Sequence, residues 1–341
     1  MTLLGCPVPI VLGPFGGMSS VALTAAVSEA GGLGSFGLYG YSPDRILETA
    51  AQLRAATDRP FALNLWMPAD DEVPIDAVDL TGPLATVAPL YERLGLPVPS
   101  GRPALPDVDA QLDALLEARP AVASFVFGMP PAHVVDRFRA AGILLVGAAT
   151  TVAEAVAVER AGADAVVASG FEAGGHRVSF LRPAERSLVG AFALVPQVVD
   201  AVRIPVIAAG GVADRRGVAA AFALGASGVQ VGTAFLRTRQ SAATASHRAA
   251  LARVADDGTV LTRAATGRLA RGIPNRLIET VEAGQIAPFP GQSWVVGALR
   301  QEANRRGEGD LQSLWSGQAA SLARGDDADA VFAELSAGIP R

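Results

Sequence analysis

The chain has no lysine: all 28 of its basic residues are arginine. A Schiff base needs a primary amine, so lysine-dependent aldolases and pyridoxal enzymes are excluded. A single cysteine, Cys6, rules out an internal disulfide and argues against an iron–sulfur cluster. The three histidines, His133, His176 and His247, show neither H-x-H nor H-E-x-x-H spacing, which argues against a catalytic zinc site. Net charge is −5, with no basic patch suited to a phosphate backbone, so nucleic acid is not an expected partner. Two stretches lack charge altogether, residues 1–28 and 217–236. The first has no basic n-region and is broken by Pro7, Pro9 and Pro14. The second is divided by an L-G-A-S-G turn into a helix and a strand. Both read as core rather than membrane spans, and with a lone thiol they suggest the cytoplasm.

What is present is a core-rich globular composition, half hydrophobic, with 37 glycines and 23 prolines in 341 residues. Apolar runs that read as strands alternate with amphipathic stretches that read as helices. Strands are expected at 9–13, in GLGSFG, at 61–67, at 121–128, in ILLVGAAT, at 165–168, in PVIAAGG and in GVQVGTAFL. Ser19 or Ser20, Ser42 with Pro43, Thr151 and Asp214 stand where helices should start. The strands are almost continuously apolar, as in a parallel sheet buried on both faces. Eight such units predict an α/β fold of the (β/α)8 TIM-barrel type. A doubly wound open sheet is the competitor; it would need fewer strands and a phosphate loop after the first. Residues 68–106 interrupt the pattern as a Pro- and Asp-rich insertion with a weakly helical middle, a candidate lid. The reading divides the chain into a barrel, 1–240, and a mostly helical extension, 241–341, closing over the barrel mouth.

The stretch from Ala163 to His176, ADAVVASGFEAGGH, carries a strand into a loop where Gly174 and Gly175 precede a histidine. Adjacent glycines let a backbone approach a flat ligand, and α/β barrels keep their chemistry at the carboxyl ends of strands. His176 is therefore the candidate catalytic residue, either a general base or a cation holding an anionic substrate. Glu172 is a candidate to orient it, with a water-facing position as the alternative. His133 and His247 fall on expected helices and read as surface residues; Asp164 reads as structural. Gly210 and Gly211 after strand seven, with Gly232 and Thr233 after strand eight, occupy the usual barrel site for a phosphate. Pro14, Phe15, Gly16, Gly17 and Met18 could floor a planar ring. Asn64, an amide among apolar residues, needs a partner: a cofactor ring or a neighbouring strand.

ADAVVASGFEAGGHR, IPVIAAGGV, GVQVGTAFL and TGRLARGIPNR, with PFGGM near the start, resemble the FMN-dependent nitronate monooxygenases, formerly 2-nitropropane dioxygenases. The resemblance implies a TIM barrel with FMN at its mouth, the phosphate on Gly210, Gly211, Gly232 and Thr233, and the ring against residues 14–18 and Asn64. Ser169, Gly174, Gly175 and Gln230 complete the implied flavin contacts, with His176 catalytic. It further implies oxidation of an alkyl nitronate, such as propionate 3-nitronate, with O2 to a carbonyl compound and nitrite. Expected partners are a small-molecule substrate and O2, with a homodimer as the candidate assembly. The substrate wall departs from the family: Val126 stands for a histidine, Ser169 for a glutamine, and Phe289, Ser293 and Gly297 for tyrosines and a lysine. These differences suggest a smaller, drier pocket. Other readings are an NAD(P)H-dependent quinone or enoyl reductase, a non-catalytic FMN-binding barrel, and a flavin-free barrel for a phosphorylated metabolite.

Overall fold

The computed structural model describes residues 3–101 and 106–340. Met1 and Thr2 of the first uncharged run, 102–105 of the insertion and Arg341 of the extension lie outside them. Eight parallel strands form the central sheet: β1 (Ile10–Leu12), β2 (Gly34–Gly37), β3 (Phe61–Trp66), β4 (Val122–Val126), β5 (Leu144–Ala149), β6 (Ala165–Ser169), β8 (Val206–Ala209) and β9 (Gly228–Val231). A two-residue strand, β7 (Gly175–His176), lies outside it. Each barrel strand pairs with its neighbour in the order β1-β9-β8-β6-β5-β4-β3-β2. The ring closes where Leu33, just before β2, exchanges backbone bonds with β1 at 2.9 Å each way. The expected (β/α)8 TIM barrel is the fold.

The apolar strands follow from burial on both faces. Ile207 and Ala209 of β8 point into the barrel, while Val206 and Ala208 meet the helix layer. Leu3 and Cys6 join the inward cluster, so the amino-terminal turn plugs the bottom. At the other end Val126, Ala148, Val167 and Ala209 finish the packed interior and floor a cavity. The helix starts read from sequence recur: Ser20 caps Val21–Glu29, Ser42 caps Pro43–Ala56, Thr151 caps Val152–Arg160 and Asp214 caps Arg215–Ala223.

Three features differ from the sequence expectation. First, the helix expected at the end of the extension, Ala328–Ser336, packs against both Val21–Glu29 and Arg215–Ala223. It fills the eighth helix position of the barrel, with Phe332 and Leu335 in the same core as β1 and β9. Residues 233–327 are thus looped out between the last strand and its helix. Second, within the extension expected to be mostly helical, residues 312–317 are irregular between two short 3-10 turns, Gly309–Leu311 and Gln318–Leu322. Third, β7 pairs antiparallel with β11 (Ala270–Gly272), which pairs with β10 (Val260–Thr262). Two- and three-residue strands carry too little periodicity to be read locally; here the long-range pairing creates them.

The insertion carries a helix, Thr81–Leu94, longer than its sequence suggested. Val87, Leu90, Tyr91 and Leu94 form a separate apolar cluster with Leu277, Val281, Val295 and Leu299 of the extension. Tyr91 donates to Val295 O at 2.8 Å within it. Neither segment could bury its apolar face alone, and each covers the other. Among the described residues, no helix is long and apolar enough to cross a membrane.

Candidate active site

A cavity of about 760 Å³ opens at the carboxyl ends of the barrel strands. Its size falls within the ordinary range for an organic ligand, about 300–1,000 Å³. Every residue singled out from the sequence as a flavin contact borders it. Pro14, Phe15, Gly16, Gly17 and Met18 form one side; Asn64, Ser169 and Gln230 rise from the strands; Gly174, Gly175 and His176 form another side. Gly210, Gly211, Gly232 and Thr233 close one end.

That end is shaped for an anion. Gly210 and Gly211 have φ of 94° and 74°, the left-handed region that favours glycine. Among the described residues, the N–H groups of Gly211, Gly232 and Thr233 donate to no protein acceptor. Thr233 opens the short helix Thr233–Leu236, and its hydroxyl accepts from Gly317 N at 2.9 Å, leaving its own proton to donate. The residues present therefore fit a phosphate, as P-loops and barrel phosphate sites do.

Of the two glycines before His176, both of which border the cavity, Gly174 also has a packing job. A Cβ on Gly174 would lie 2.6 Å from Gly317 N and 2.7 Å from Ser316 C, so this close approach is to the chain's own backbone. It brings the 316–317 segment against the loop after β6. Arg177, also buried, donates to Gly170 O at 2.6 Å and Ser169 O at 2.9 Å, holding the turn at the end of β6. The neighbouring β7–β11 pairing sets Ala270 opposite His176.

His176 itself is held by Thr266, whose Oγ1 lies 2.8 Å from Nε2. Its ring meets the edge of Trp66 (centroids 4.8 Å apart, planes at 73°) and lies 5.3 Å from Trp315. Burial, then the cations Arg268 and Arg300, push its pKa down to about 3. The lowered pKa favours the neutral imidazole, which suits a general base or hydrogen-bonding partner better than a cation. Arg268 is sandwiched between Phe127 and Phe289, 4.1 and 3.9 Å from their ring centroids. It pairs with Asp71 at 2.6 Å and Glu72 at 3.0 Å, tying the insertion to the site.

Glu172 does not orient His176; its carboxylate accepts from Ala191 N at 2.9 and 3.0 Å, at the start of the helix Ala191–Ala201. Asn64 donates to Ser124 O at 3.1 Å and Ser124 Oγ at 3.0 Å, so a neighbouring strand satisfies its amide while it still borders the cavity. His247 is not a surface residue: it is buried, borders the cavity and lies 2.9 Å from Trp315 O, with burial lowering its pKa to about 4. His133 is exposed and Asp164 accepts from Leu145 N at 2.7 Å, both as read. The distal wall is not uniformly dry. Val126 and Gly297 border it, but so do Ser293, Arg300, Gln301 and Asn304. Sequence reasoning missed Tyr39, Trp66, Thr266, Arg268, Arg300 and Trp315 as wall or partner residues. Thr266 and Arg268 lay in the TGRLARGIPN string, but nothing local pointed that loop at His176.

Comparison with known proteins decides what this arrangement belongs to. Residues 1–337 match the nitronate monooxygenase family. The chain belongs to that family. A probable nitronate monooxygenase of Staphylococcus aureus is 37% identical over 337 residues, 98% of this chain and 94% of the relative. Among solved structures, a nitroalkane oxidase from Streptomyces ansochromogenes superposes with a TM-score of 0.90 at 38% identity, covering 97% of this chain and 95% of that one. FabK from Thermotoga maritima gives a TM-score of 0.74 at 28% identity, covering 97% and 92%. As a member of the nitronate monooxygenase family, this protein is a flavin-dependent oxidoreductase acting on a small molecule.

Proposed function

We propose that the protein binds FMN and oxidises alkyl nitronates, propionate 3-nitronate among them, with O2 to a carbonyl compound and nitrite. The observation that carries the reading is the meeting, in one cavity, of a glycine-built anion cradle and an imidazole held by Thr266. The family match and the nitroalkane oxidase likeness support it. Gly210, Gly211, Gly232 and Thr233 would hold the FMN phosphate, and Pro14–Met18, Asn64, Ser169, Gly174, Gly175 and Gln230 would border the ring.

FMN supplies the redox chemistry when bound. The chain supplies position, dryness and electrostatics. His176 offers a neutral ring fixed through Thr266, able to exchange a proton or a hydrogen bond with the substrate. Trp66 and Trp315 wall that ring from water. Positive potential comes from arginines rather than from the imidazole. A homodimer remains part of the proposal, tested by the mass of the purified protein in solution.

The decisive experiment mixes purified protein anaerobically with propionate 3-nitronate and, separately, with NADH and NADPH, recording the flavin spectrum. Rapid bleaching by the nitronate, with slow or no bleaching by the nicotinamides, is expected. Fast bleaching only by a nicotinamide would favour a quinone or enoyl reductase. Bound flavin that neither reduces would leave a non-catalytic barrel, and colourless protein without FMN affinity would end the flavin reading.

A further inference from the structure

Arg300 lies in the helix Gly297–Arg306 and borders the same cavity as His176. Its Nη1 donates to Ser313 Oγ at 3.0 Å, while its buried Nε has no partner. Among the described residues no carboxylate pairs with it, in contrast to Arg268, which has two. A cation enclosed in this way is costly unless a counter-charge arrives. Two hydroxyls border the same cavity, those of Tyr39 and Ser293. Tyr39 packs against Trp66 with ring centroids 4.2 Å apart and planes tilted by 35°, and Trp66 in turn meets His176. Among the described residues, the cavity therefore presents a cation without a carboxylate partner, together with two hydroxyls.

We propose that Arg300, with Tyr39 and Ser293, forms the receptor for a planar two-oxygen anion of the substrate, and so makes the site select anions over neutral nitro compounds. The guanidinium fork matches an O–X–O anion in two parallel hydrogen bonds. Nitronate and carboxylate share that shape. A substrate such as propionate 3-nitronate carries both, and ethyl nitronate only the first. This deepens the nitronate reading and rests on it for the identity of the reacting group, though not for the presence of an anion site.

The test uses flavin-loaded protein. Propionate binding is measured by calorimetry, and steady-state kinetics are run with propionate 3-nitronate, ethyl nitronate and neutral nitroethane. Arg300→Met should weaken propionate binding about 10–100-fold and raise KM for at least one nitronate by a similar factor, the loss expected of a charge-assisted pair. KM for nitroethane and the flavin content should stay within about threefold of the parent. A loss confined to propionate 3-nitronate places the carboxylate on Arg300; an equal loss for both nitronates places the nitronate there. Arg300→Gln keeps a donor for Ser313 and carries the test if the methionine variant loses its fold; Arg300→Lys should restore part of the affinity. Unchanged propionate affinity and unchanged KM in a flavin-retaining Met or Gln variant would overturn the proposal, even with nitronate turnover intact. Conversely, Arg300-dependent propionate binding in a protein that no nitronate reduces would uphold the anion receptor and remove the nitronate reading instead.

Discussion

Thr266 Oγ1 accepts from Arg268 N at 3.3 Å and faces His176 Nε2 at 2.8 Å, so one hydroxyl fixes the imidazole from a backbone already pinned by the Arg268 ion pairs. Removing that hydroxyl while keeping the side-chain shape should loosen the ring without opening the cavity. Thr266→Val is expected to lower kcat on propionate 3-nitronate about tenfold, the worth of one hydrogen bond made in the transition state. Flavin content should be unchanged, and Thr266→Ser should recover most of the rate. Histidine was legible as the chemical residue because it follows a strand end. Its partner was not, because Thr266 lies 90 residues later and reaches it only through the β7–β11 pairing.

The two segments outside the barrel pattern behave as one element. The helix Thr81–Leu94 and the helices of 276–306 share an apolar cluster, and Asp71 and Glu72 hold Arg268 beneath them. Tyr91 is fully buried, and its hydroxyl donates to Val295 O across that contact. Tyr91→Phe leaves the carbonyl unsatisfied at a cost of about 1–3 kcal/mol. The expected result is a lower thermal midpoint and faster proteolytic cleavage within 68–106, both measurable without substrate. From the sequence the insertion read as a candidate lid; in the structure its helix packs on a complementary apolar face of the extension, 204 residues away at the Tyr91–Val295 bond, and no local pattern records that.

At the scale of the whole molecule, two imidazoles with lowered pKa, His247 buried and His176 half-buried, set an acid limit on stability. His176 and His247 titrate at about 3 and about 4 in the folded chain, against the ordinary value of 6.5, mainly because burial disfavours the charged form. The unfolded chain therefore binds protons that the folded one refuses. The stability they contribute is complete above pH 6.5 and declines as the pH falls toward these lowered values. Each group adds up to about 1.4 kcal/mol per pH unit. Urea midpoints measured from pH 6.5 down to 4.5, above the titration of most carboxylates, should fall steadily. His247→Asn should roughly halve the slope; a slope independent of that substitution would place the effect elsewhere.

The sequence by itself determined the barrel, the order of its strands, the cavity-facing turns and the histidine beside them. Those are local facts: continuous apolar runs, capping residues, and glycines at strand ends. Only the tertiary structure decided that the last helix completes the ring, that Gly174 packs against the 316–317 backbone, that Thr266 meets His176, and that Arg300 borders the cavity with no carboxylate partner among the described residues. Each of these depends on which distant groups share a low-dielectric interior. Burial and proximity across the fold set them, and neither is written in the spacing of residues along the chain.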